Sequence, residues 1–511
     1  MADMDDCSGL VVLVGAGPGA PPLLTRAGWK WLSRADVVVY DRLVNRSVLD
    51  ACRADAERID VGKSPGGPRS AQGRIGDLLI GRARAGRLVV RLKGGDPLVF
   101  GRGGEEAEAL AEAGVAYEIV PGVTAAVAAA AGAGIPLTDR RCASAVAFVT
   151  GREDPARAEG RIDFEALARI DTVVFYMGVG NLADWTARLI AAGRDAATAA
   201  AVVARAWSAS QQVVVAPLGN LAAEADRAGI APPAVTIVGN VVDLRQRIGW
   251  LEKRPLFGRT VMITRPRGQM AVLAETLGEL GAATIEAPAV EIRPADDLAP
   301  IDAALRRLGE FDLVAFTSVN GVDAFVARCG ALGLDARALR SAQIAAVGPA
   351  TAEALRGQFI RADIVPETFT TAALAEAIVA GGDVRGRRVL LARSDQAGGA
   401  LPEVLRSAGG EVTDVAFYRT GCPAGLPEDA VAALTAGQVD WIAFASPSAA
   451  RHFAALLPPD ARPAAAAAKR AAIGPVTADA LAEVGLPAAA VADEHTAAGL
   501  ARAIRDAETA P

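Results

Sequence analysis

The stretch Gly258-Arg259-Thr260-Val261-Met262-Ile263-Thr264-Arg265 has a counterpart 128 residues later, Gly386-Arg387-Arg388-Val389-Leu390-Leu391-Ala392-Arg393. Each copy is a short aliphatic run that follows a glycine and precedes a longer Ala- and Leu-rich segment, a pattern typical of a strand and its following helix. Phe311–Ser318 and Val439–Ser446 match at the same offset. The second half of the chain is therefore predicted to contain two copies of one α/β unit.

A third pair of segments, Ala346–Thr351 and Ala472–Thr477, matches after a drift of two residues. In every pair the strand ends in small or hydroxyl residues just before a helix. Ligands of open α/β sheets bind beyond the carboxyl ends of the strands. The repeat therefore predicts two such sheet edges with a cleft between them.

Length and charge exclude several classes of protein. At roughly 100–200 residues per domain, 511 residues indicate two to four domains. The 53 basic and 59 acidic residues give a net charge of −6, which does not suggest nucleic acid as a partner, so an anionic ligand must be met by local charges. The apolar share of 52% is largely alanine, and the first residues are acidic, so we expect a cytoplasmic protein without a membrane span.

The cysteines and histidines offer little for metal or disulfide chemistry. There are five cysteines without any C-x-x-C spacing, so we expect buried thiols rather than disulfides or a zinc site. These are Cys7, Cys52, Cys142, Cys329 and Cys422. With only two histidines, His452 and His495, no metal site is predicted.

The first half of the chain also alternates β-branched runs with Ala-, Leu- and Arg-rich segments, which predicts another α/β region. The polar, proline-containing stretch Trp250–Pro255 precedes the first strand of the repeat. We place the main domain boundary there.

Three glycine-rich loops follow predicted strands in the first half. Gly15-Ala16-Gly17-Pro18-Gly19, with Asp41 ending the next strand, fits either a dinucleotide fingerprint for NAD or a tight turn without a ligand. The loop Arg91–Glu106 holds five glycines and counts against NAD, and Val120–Ala126 opens another helix after a third small-residue junction. Together these loops predict a cleft that binds a polar cofactor through backbone contacts.

Residues 10–248 resemble uroporphyrinogen-III C-methyltransferase of the tetrapyrrole methylase family. The segments that carry the resemblance are Val14–Thr25, Asp36–Val44, Val89–Leu110, Val120–Arg140, Phe175–Val179 and Pro232–Val242. The resemblance implies binding of S-adenosylmethionine between two α/β lobes. The matching positions are Pro18, Gly94, Gly95, Asp96, Val99, Thr124, Ala125, Met177 and Ala206, the last of which is usually glycine in the family.

The same resemblance implies two catalytic residues, Asp41 as proton acceptor and Lys63 as proton donor. Their roles suit methyl transfer to a pyrrole carbon, which requires aligned approach and removal of a proton. Taken alone, Asp41 could instead cap a strand end and Lys63 could be a surface charge. The chain departs from the family at positions expected to face the acetate and propionate arms of the substrate, namely Ala20, Pro68, Asp139 and Arg152.

Residues 257–505 resemble uroporphyrinogen-III synthase, an enzyme that often occurs fused to the methylase. Its motifs here are Ile263–Pro266, Phe316–Asn320, Val347–Thr351 and Phe417–Thr420. The resemblance implies loss of water from linear hydroxymethylbilane, inversion of the fourth ring and closure to the type III isomer. Holding a reactive cation in one geometry suits backbone amides and hydroxyls at strand ends.

The strand-end residues are accordingly predicted to bind the substrate. They are Thr264, Arg265, Ser318, Asn320, Thr351, Ser446, Ser448 and Thr477. Tyr418 is the candidate acid, or alternatively an aromatic side chain that anchors a strand where the lobes cross.

We therefore expect an α/β protein made of a two-lobed methylase domain followed by a two-lobed synthase domain built from an internal repeat. The methylase domain is placed at 1–250, with lobes of about 1–120 and 121–250. The synthase domain is placed at 257–511, with lobes of about 257–292 plus 421–511, and 297–416.

The expected activity is cyclisation of hydroxymethylbilane to uroporphyrinogen III and its double methylation to precorrin-2, for sirohaem or corrinoid synthesis. The alternative is an active synthase fused to a divergent S-adenosylmethionine-binding or scaffold domain, and an NAD-linked dehydrogenase is a third reading. The resemblance also implies a homodimer formed through the methylase half.

Overall fold

Aliphatic runs of the sequence form the buried strands of the structure. In the first strand Val11, Val12, Leu13 and Val14 have no exposed surface. The structure is a computed structural model that describes residues 9–62, 70–151, 162–340 and 342–510. The chain forms two units, Met1–Gly258 with Leu280–Ala283, and Arg259–Glu279 with Thr284–Pro511.

The first unit begins with lobe 1, a five-stranded sheet in the order β3-β2-β4-β1-β5. Its strands are β1 (Leu10–Gly15), β2 (Val37–Tyr40), β3 (Glu57–Asp60), β4 (Val89–Lys93) and β5 (Ala116–Val120). All neighbouring strands are parallel. Val14 lies between Leu92 and Val120 in this register, so the loops that follow β1, β4 and β5 leave the sheet side by side.

Lobe 2 is a mixed sheet in the order β6-β7-β10-β8-β9. Its strands are β6 (Val146–Thr150), β7 (Thr172–Tyr176), β8 (Ala199–Ala204), β9 (Gln212–Pro217) and β10 (Ala234–Val238). Only β6 and β7 pair in parallel; β10 runs antiparallel to both β7 and β8, and β9 antiparallel to β8.

Helices pack on both lobes of the first unit. They are α1 (Arg26–Leu32), α2 (Ser70–Arg84), α3 (Gly103–Glu112), α4 (Ala125–Ala133), α5 (Phe164–Ala168), α6 (Leu182–Ala191), α7 (Leu221–Arg227) and α8 (Arg245–Ile248). The helix α4 is nearly all alanine and glycine, and its side chains pack against β7, β8 and β10.

The second unit holds two more five-stranded sheets, in lobes 3 and 4. Lobe 3 has the order β12-β11-β18-β19-β20 and lobe 4 the order β13-β17-β16-β14-β15. The strands are β11 (Thr260–Ile263), β12 (Ala283–Glu286), β13 (Glu291–Pro294), β14 (Leu313–Phe316), β15 (Gln343–Ala346), β16 (Arg388–Ser394), β17 (Glu411–Gly421), β18 (Trp441–Phe444), β19 (Lys469–Ala472) and β20 (Ala490–Val491).

The two sequence copies are exchanged between these lobes. The strand β11 of the first copy pairs with β18 of the second copy, whereas β16 of the second copy pairs with β14 of the first. The strand β13 pairs with β17 in lobe 4. Each lobe is therefore built from part of both copies.

Helices of the second unit follow the strands. They are α9 (Ala271–Glu279), α10 (Ala299–Arg306), α11 (Val319–Ala331), α12 (Pro349–Gly357), α13 (Thr371–Ala380), α14 (Ala400–Ser407), α15 (Glu428–Thr435), α16 (Pro447–Leu456), α17 (Arg462–Ala467), α18 (Pro475–Glu483) and α19 (Ala497–Thr509). Separate apolar cores lie in lobe 3, around Phe444 and Phe453, and in lobe 4, around Phe316 and Phe325.

The α/β prediction for both halves is confirmed by these four sheets. Cys52 and Cys329 are buried as predicted, and Cys142 is partly buried. The prediction of a buried thiol is wrong at Cys422, which is exposed in the segment after β17, and Cys7 lies outside the described residues. In the part of the chain that the structure describes, no helix combines the length and apolar character needed to cross a membrane.

Candidate active sites in the two units

Three glycine loops meet at the carboxyl edge of lobe 1. The backbone N–H of Gly95 donates to the carbonyl of Gly17 at 2.7 Å, and that of Gly17 donates back to Gly95 at 3.1 Å. A Cβ on Gly15 would lie 2.6 Å from Cα of Gly122. The loops after β1, β4 and β5 are thus in backbone contact, which larger residues would prevent.

The predicted cofactor residues of the second loop lie at this meeting point. Gly95 has a φ of +71°, a conformation that favours glycine. The Asp96 carboxylate accepts hydrogen bonds from the backbone N–H of Gly122 at 3.0 Å and of Leu98 at 2.8 Å. Pro18 on the first loop and Gly94 and Val99 on the second are partly buried. Asp96 therefore fixes the second loop against the third.

The strand β7 fixes the start of α4. Thr124 precedes the helix, and its hydroxyl lies 2.8 Å from that of Tyr176, which also accepts a hydrogen bond from the N–H of Ala126 at 3.1 Å. Burial raises the pKa of Tyr176, so its hydroxyl remains protonated. Met177 follows with a φ of +52° and a side chain that is 54% exposed. Thr124, Ala125 and Met177 are therefore brought together by Tyr176, which was not predicted from the sequence as a site residue.

Large apolar side chains remain exposed on the loops that follow β2, β4 and β7. They are Leu43, Leu98, Phe100 and Met177. Glycine loops whose backbone is accessible, with apolar side chains beside them, are typical of a small-molecule site. Ala206 lies on another loop, after β8, between Arg205 and Trp207, which both have positive φ.

Asp41 ends β2 at the same edge and belongs to a buried charge network. Arg91 Nη2 donates to Asp41 Oδ1 at 2.6 Å, and Lys93 Nζ donates to Glu106 Oε1 at 3.0 Å. Arg91 also lies 3.4 Å from Glu106. Arg91, Lys93 and Glu106 are at most 2% exposed, whereas the Asp41 side chain is 32% exposed. The network therefore presents one oriented carboxylate to the cleft.

Burial, with Arg91 adding to it, lowers the pKa of Lys93, and Glu106 opposes that shift. No role was predicted from the sequence for Arg91, Lys93 or Glu106. The available signal was the spacing of Arg91 and Lys93, which places two cations on one face of a strand whose other residues are aliphatic.

Several predicted positions lie elsewhere. Lys63, Pro68 and Arg152 fall outside the described residues. Ala20 is partly buried beside the first glycine loop. Asp139 pairs with Arg141 at 2.8 Å, and Arg141 lowers the pKa of Asp139 to about 2. This carboxylate is ionised at neutral pH.

In lobe 4, two predicted hydroxyls form a pair. Ser318 caps α11, because its Oγ accepts the N–H of Gly321 at 3.0 Å, and the same Oγ lies 2.8 Å from the Tyr418 hydroxyl. Tyr418 is 6% exposed and packs in the lobe 4 core. Both proposed roles of Tyr418, acid and strand anchor, are compatible with this position.

The equivalent serine of lobe 3 caps α16 in the same way. Ser446 Oγ accepts the N–H of Ala449 at 3.2 Å and lies 3.0 Å from Ser448 Oγ. Three other predicted contacts, Thr264, Thr351 and Thr477, are at most 3% exposed. Thr264 donates its hydroxyl to the carbonyl of Ala443 at 2.9 Å, so this group is used inside the fold.

A polar chain joins lobe 3 to lobe 4. Arg265 Nη2 lies 3.5 Å from Gln269 Oε1, and Gln269 Nε2 donates to Asn320 Oδ1 at 2.5 Å. Gln269 and Asn320 line a cleft of about 730 Å³ together with Arg267 and Asp323. Gln269 was not predicted from the sequence, since it lies in a short 3-10 turn without a motif of its own.

Arg265 carries an unbalanced charge. Burial lowers the pKa of its guanidinium, and within the described ranges no carboxylate lies at ion-pair distance from it. Arg393, its repeat equivalent, is instead paired with Asp414 at 2.5 Å. The arrangement leaves Arg265 available to an anionic ligand.

Two family models match the chain. Residues 10–222 match the family model described as tetrapyrrole (corrin/porphyrin) methylases, and residues 271–502 match uroporphyrinogen-III synthase HemD. A solved uroporphyrin-III C-methyl transferase from Thermus thermophilus, complexed with S-adenyl homocysteine, is 42% identical over 46% of this chain and 99% of that one, with a TM-score of 0.40.

Two curated relatives are similar over most of their own length. The S-adenosyl-L-methionine-dependent uroporphyrinogen III methyltransferase of Methanosarcina barkeri is 45% identical over 47% of this chain and 95% of the relative. The porphyrin biosynthesis protein HemD of Ruminiclostridium josui is 37% identical over 450 residues, which are 88% of both chains. The chain therefore belongs to the family of porphyrin biosynthesis proteins that join a tetrapyrrole methylase to a uroporphyrinogen-III synthase.

Proposed function

We propose that the chain is a bifunctional enzyme of tetrapyrrole biosynthesis. Its second unit cyclises hydroxymethylbilane to uroporphyrinogen III, and its first unit methylates that product twice with S-adenosylmethionine to give precorrin-2. The observation that carries the proposal is the meeting of the three glycine loops beside the oriented carboxylate of Asp41.

In the first unit, the backbone around Gly95 and the residues Thr124, Ala125 and Met177 would hold the cofactor, which supplies an electrophilic methyl group. Asp41 accepts the proton that the pyrrole carbon loses, and Arg91 keeps the carboxylate oriented. The exposed apolar side chains cover the pyrrole face and exclude water. Alignment within this cleft supplies much of the rate enhancement.

In the second unit, the substrate is a polyanion that must bind to a chain whose net charge is −6. The amino ends of α11 and α16, capped by Ser318 and Ser446, favour its carboxylates. Arg265 pairs with one acetate or propionate arm and thereby balances its buried charge. Tyr418, hydrogen-bonded to Ser318, donates the proton to the departing hydroxyl.

Incubation of the full-length protein with hydroxymethylbilane and S-adenosylmethionine tests both steps. Chromatography after oxidation identifies the isomer, and mass spectrometry counts the added methyl groups. Type III product without methylation would favour the divergent scaffold reading of the first unit. The spontaneous type I isomer alone would remove the synthase assignment, and heat on titration with NAD would revive the dehydrogenase reading.

Two variants separate catalysis from binding. Asp41→Asn should keep S-adenosylhomocysteine affinity and lose methylation by at least about 100-fold, because an amide cannot accept the proton. Tyr418→Phe should slow cyclisation by about 100-fold, with the exposed Tyr117→Phe as its control. An unchanged rate in Tyr418→Phe would identify that side chain as a strand anchor.

A homodimer through the methylase unit is part of the same proposal. The strand β5 is an edge strand with four of its five residues exposed, including Tyr117 and Ile119. Unpaired edges of this kind favour association with another chain. Sedimentation of the full-length protein measures the oligomeric state, and a monomer at micromolar concentration would contradict the proposal.

A further inference from the structure

The segment 250–254, which follows the last helix of the methylase, is folded onto that unit; we call it the strap. Trp250 Nε1 donates to the carbonyl of Ala131 at 2.8 Å, near the end of α4. The Trp250 ring also packs edge-on against that of Trp207, with 5.5 Å between centroids, and the Arg254 guanidinium lies 4.8 Å above it. Residues 250–254 have the sequence pattern of a linker, but they are packed against the methylase unit.

The loop that carries Ala206 is attached to the same helix end. Trp207 Nε1 donates to the carbonyl of Ala128 at 2.8 Å. The backbone N–H of Trp207 donates to Gln211 Oε1 at 3.0 Å, and Gln211 Nε2 donates to the carbonyl of Gly132 at 3.2 Å. A Cβ at position 132 would lie 2.7 Å from Gln211 Oε1, so the glycine permits this close approach.

One buried amide joins the loop to the strap. Gln211 is 4% exposed, and its Nε2 also donates to Glu252 Oε1 at 2.8 Å. Glu252 is held in turn by Arg245, which lies 3.1 Å away and donates to the carbonyl of Ala133. Gln211 therefore contacts its own loop, α4 and the strap at once, and each contact satisfies a polar group that would be costly to bury alone.

The backbone of the loop requires such support. Arg205 and Trp207, on either side of Ala206, have φ values of +49° and +63°. Residues other than glycine rarely adopt this backbone conformation, and it persists only where the surrounding contacts enforce it. The strap supplies some of these contacts, because Trp250 packs against Trp207 and Glu252 accepts a hydrogen bond from Gln211.

We infer that the strap is a positioning element of the methylase cofactor site. Glu252 and Trp250 act through Gln211 and Trp207 to hold the Ala206 loop against α4, whose first turn carries Ala125. The inference rests on the proposed function, in which Ala125 and Ala206 bind S-adenosylmethionine. The segment that the sequence pattern marks as a linker thus supports the first unit's binding site from outside it, through Gln211 and Trp207.

The test uses the full-length protein with the double substitution Trp250→Phe and Glu252→Ala. The probe is S-adenosylhomocysteine, titrated by calorimetry, and steady-state methylation and synthase rates are measured beside it. The dissociation constant and the KM for S-adenosylmethionine should rise about tenfold. Methylation kcat and the synthase rate should change less than about twofold. Glu252→Gln, which keeps an oxygen for Gln211, should retain most of the affinity.

The matched control is Trp29→Phe with Glu224→Ala, which removes an exposed indole and a surface carboxylate paired with Arg227 in the same unit. Equal affinities for the control and the strap variant would overturn the inference. So would a loss of affinity that is matched by an equal loss of synthase rate and melting temperature. If the unmodified protein binds no S-adenosylhomocysteine, the proposed function itself fails, which the titration of that protein reveals separately.

Discussion

The sites of the two units distribute charge in opposite ways. In the methylase unit, Arg91, Lys93 and Glu106 are buried together behind Asp41, so cations and carboxylates are balanced inside the protein. In the synthase unit, the strand ends carry hydroxyls, and the half-buried Arg265 lacks a carboxylate among the described residues. The first site holds one partly exposed carboxylate in place, which we propose accepts the proton, and the second leaves a cation that we propose the substrate neutralises.

Removal of the buried carboxylate should have the largest effect. Glu106→Gln leaves Arg91 and Lys93 in the interior with too little negative charge, so the first unit should lose about 4 kcal/mol of unfolding free energy. Calorimetric unfolding measures this loss, with the transition of the second unit as an internal reference. The adjacent, exposed Glu105→Gln should cost less than about 0.5 kcal/mol. Equal losses of unfolding free energy in Glu106→Gln and Glu105→Gln would show that Glu106 does not neutralise Arg91 and Lys93.

Gly95→Val should have the second-largest effect. It changes the backbone where the glycine loops meet and leaves the buried charges in place. A β-branched residue is strained at φ +71° and would place its methyl groups where the backbone must approach the cofactor. S-adenosylhomocysteine affinity should fall at least about 100-fold, while the synthase rate remains near that of the unmodified protein. A fall in both activities would indicate misfolding of the whole chain.

The two equivalent arginines of the repeat provide a smaller and sharper contrast. Arg265→Met should raise the KM for hydroxymethylbilane about tenfold without lowering stability, because it removes a half-buried charge that has no carboxylate beside it among the described residues. Arg393→Met should leave KM unchanged and lower the unfolding free energy by about 3 kcal/mol, because Asp414 loses its partner. If both variants changed KM and neither changed stability, the assignment of Arg265 to substrate binding and of Arg393 to stability would be contradicted.

The smallest expected effect concerns the thiols of the second unit. Burial raises the pKa of Cys329 to about 11, so this thiol should react slowly with a disulfide reagent at pH 8, whereas the exposed Cys422 should react quickly. Cys422→Ser should remove one fast-reacting equivalent and change both activities less than about twofold. Cys329→Ala should leave the number of fast-reacting thiols unchanged. A decrease of one in that number would show that Cys329 is accessible and reactive.

Local signals were sufficient for the fold class and for the loops. The aliphatic runs that recur 128 residues apart predict the strands β11 and β16. The glycine-rich loops that contain Gly17, Gly95 and Gly122 predict places where the backbone can approach a ligand closely. Both depend on the character of a few neighbouring residues. The residue pairs that complete the methylase site could not be predicted in this way. Arg91 and Glu106 meet only because α3 packs on the sheet that contains β4.

The amino-acid sequence by itself therefore determined two α/β regions, an internal repeat and the glycine loops at the strand ends, because periodicity and glycine placement are local properties. Tertiary structure alone decided which charges are balanced. Arg265 and Arg393 occupy the same place in the repeat, yet only Arg393 has Asp414 beside it, on the neighbouring strand β17. It likewise decided that 250–254 is a strap, since Gln211 and Glu252 are 41 residues apart and only packing brings them into contact.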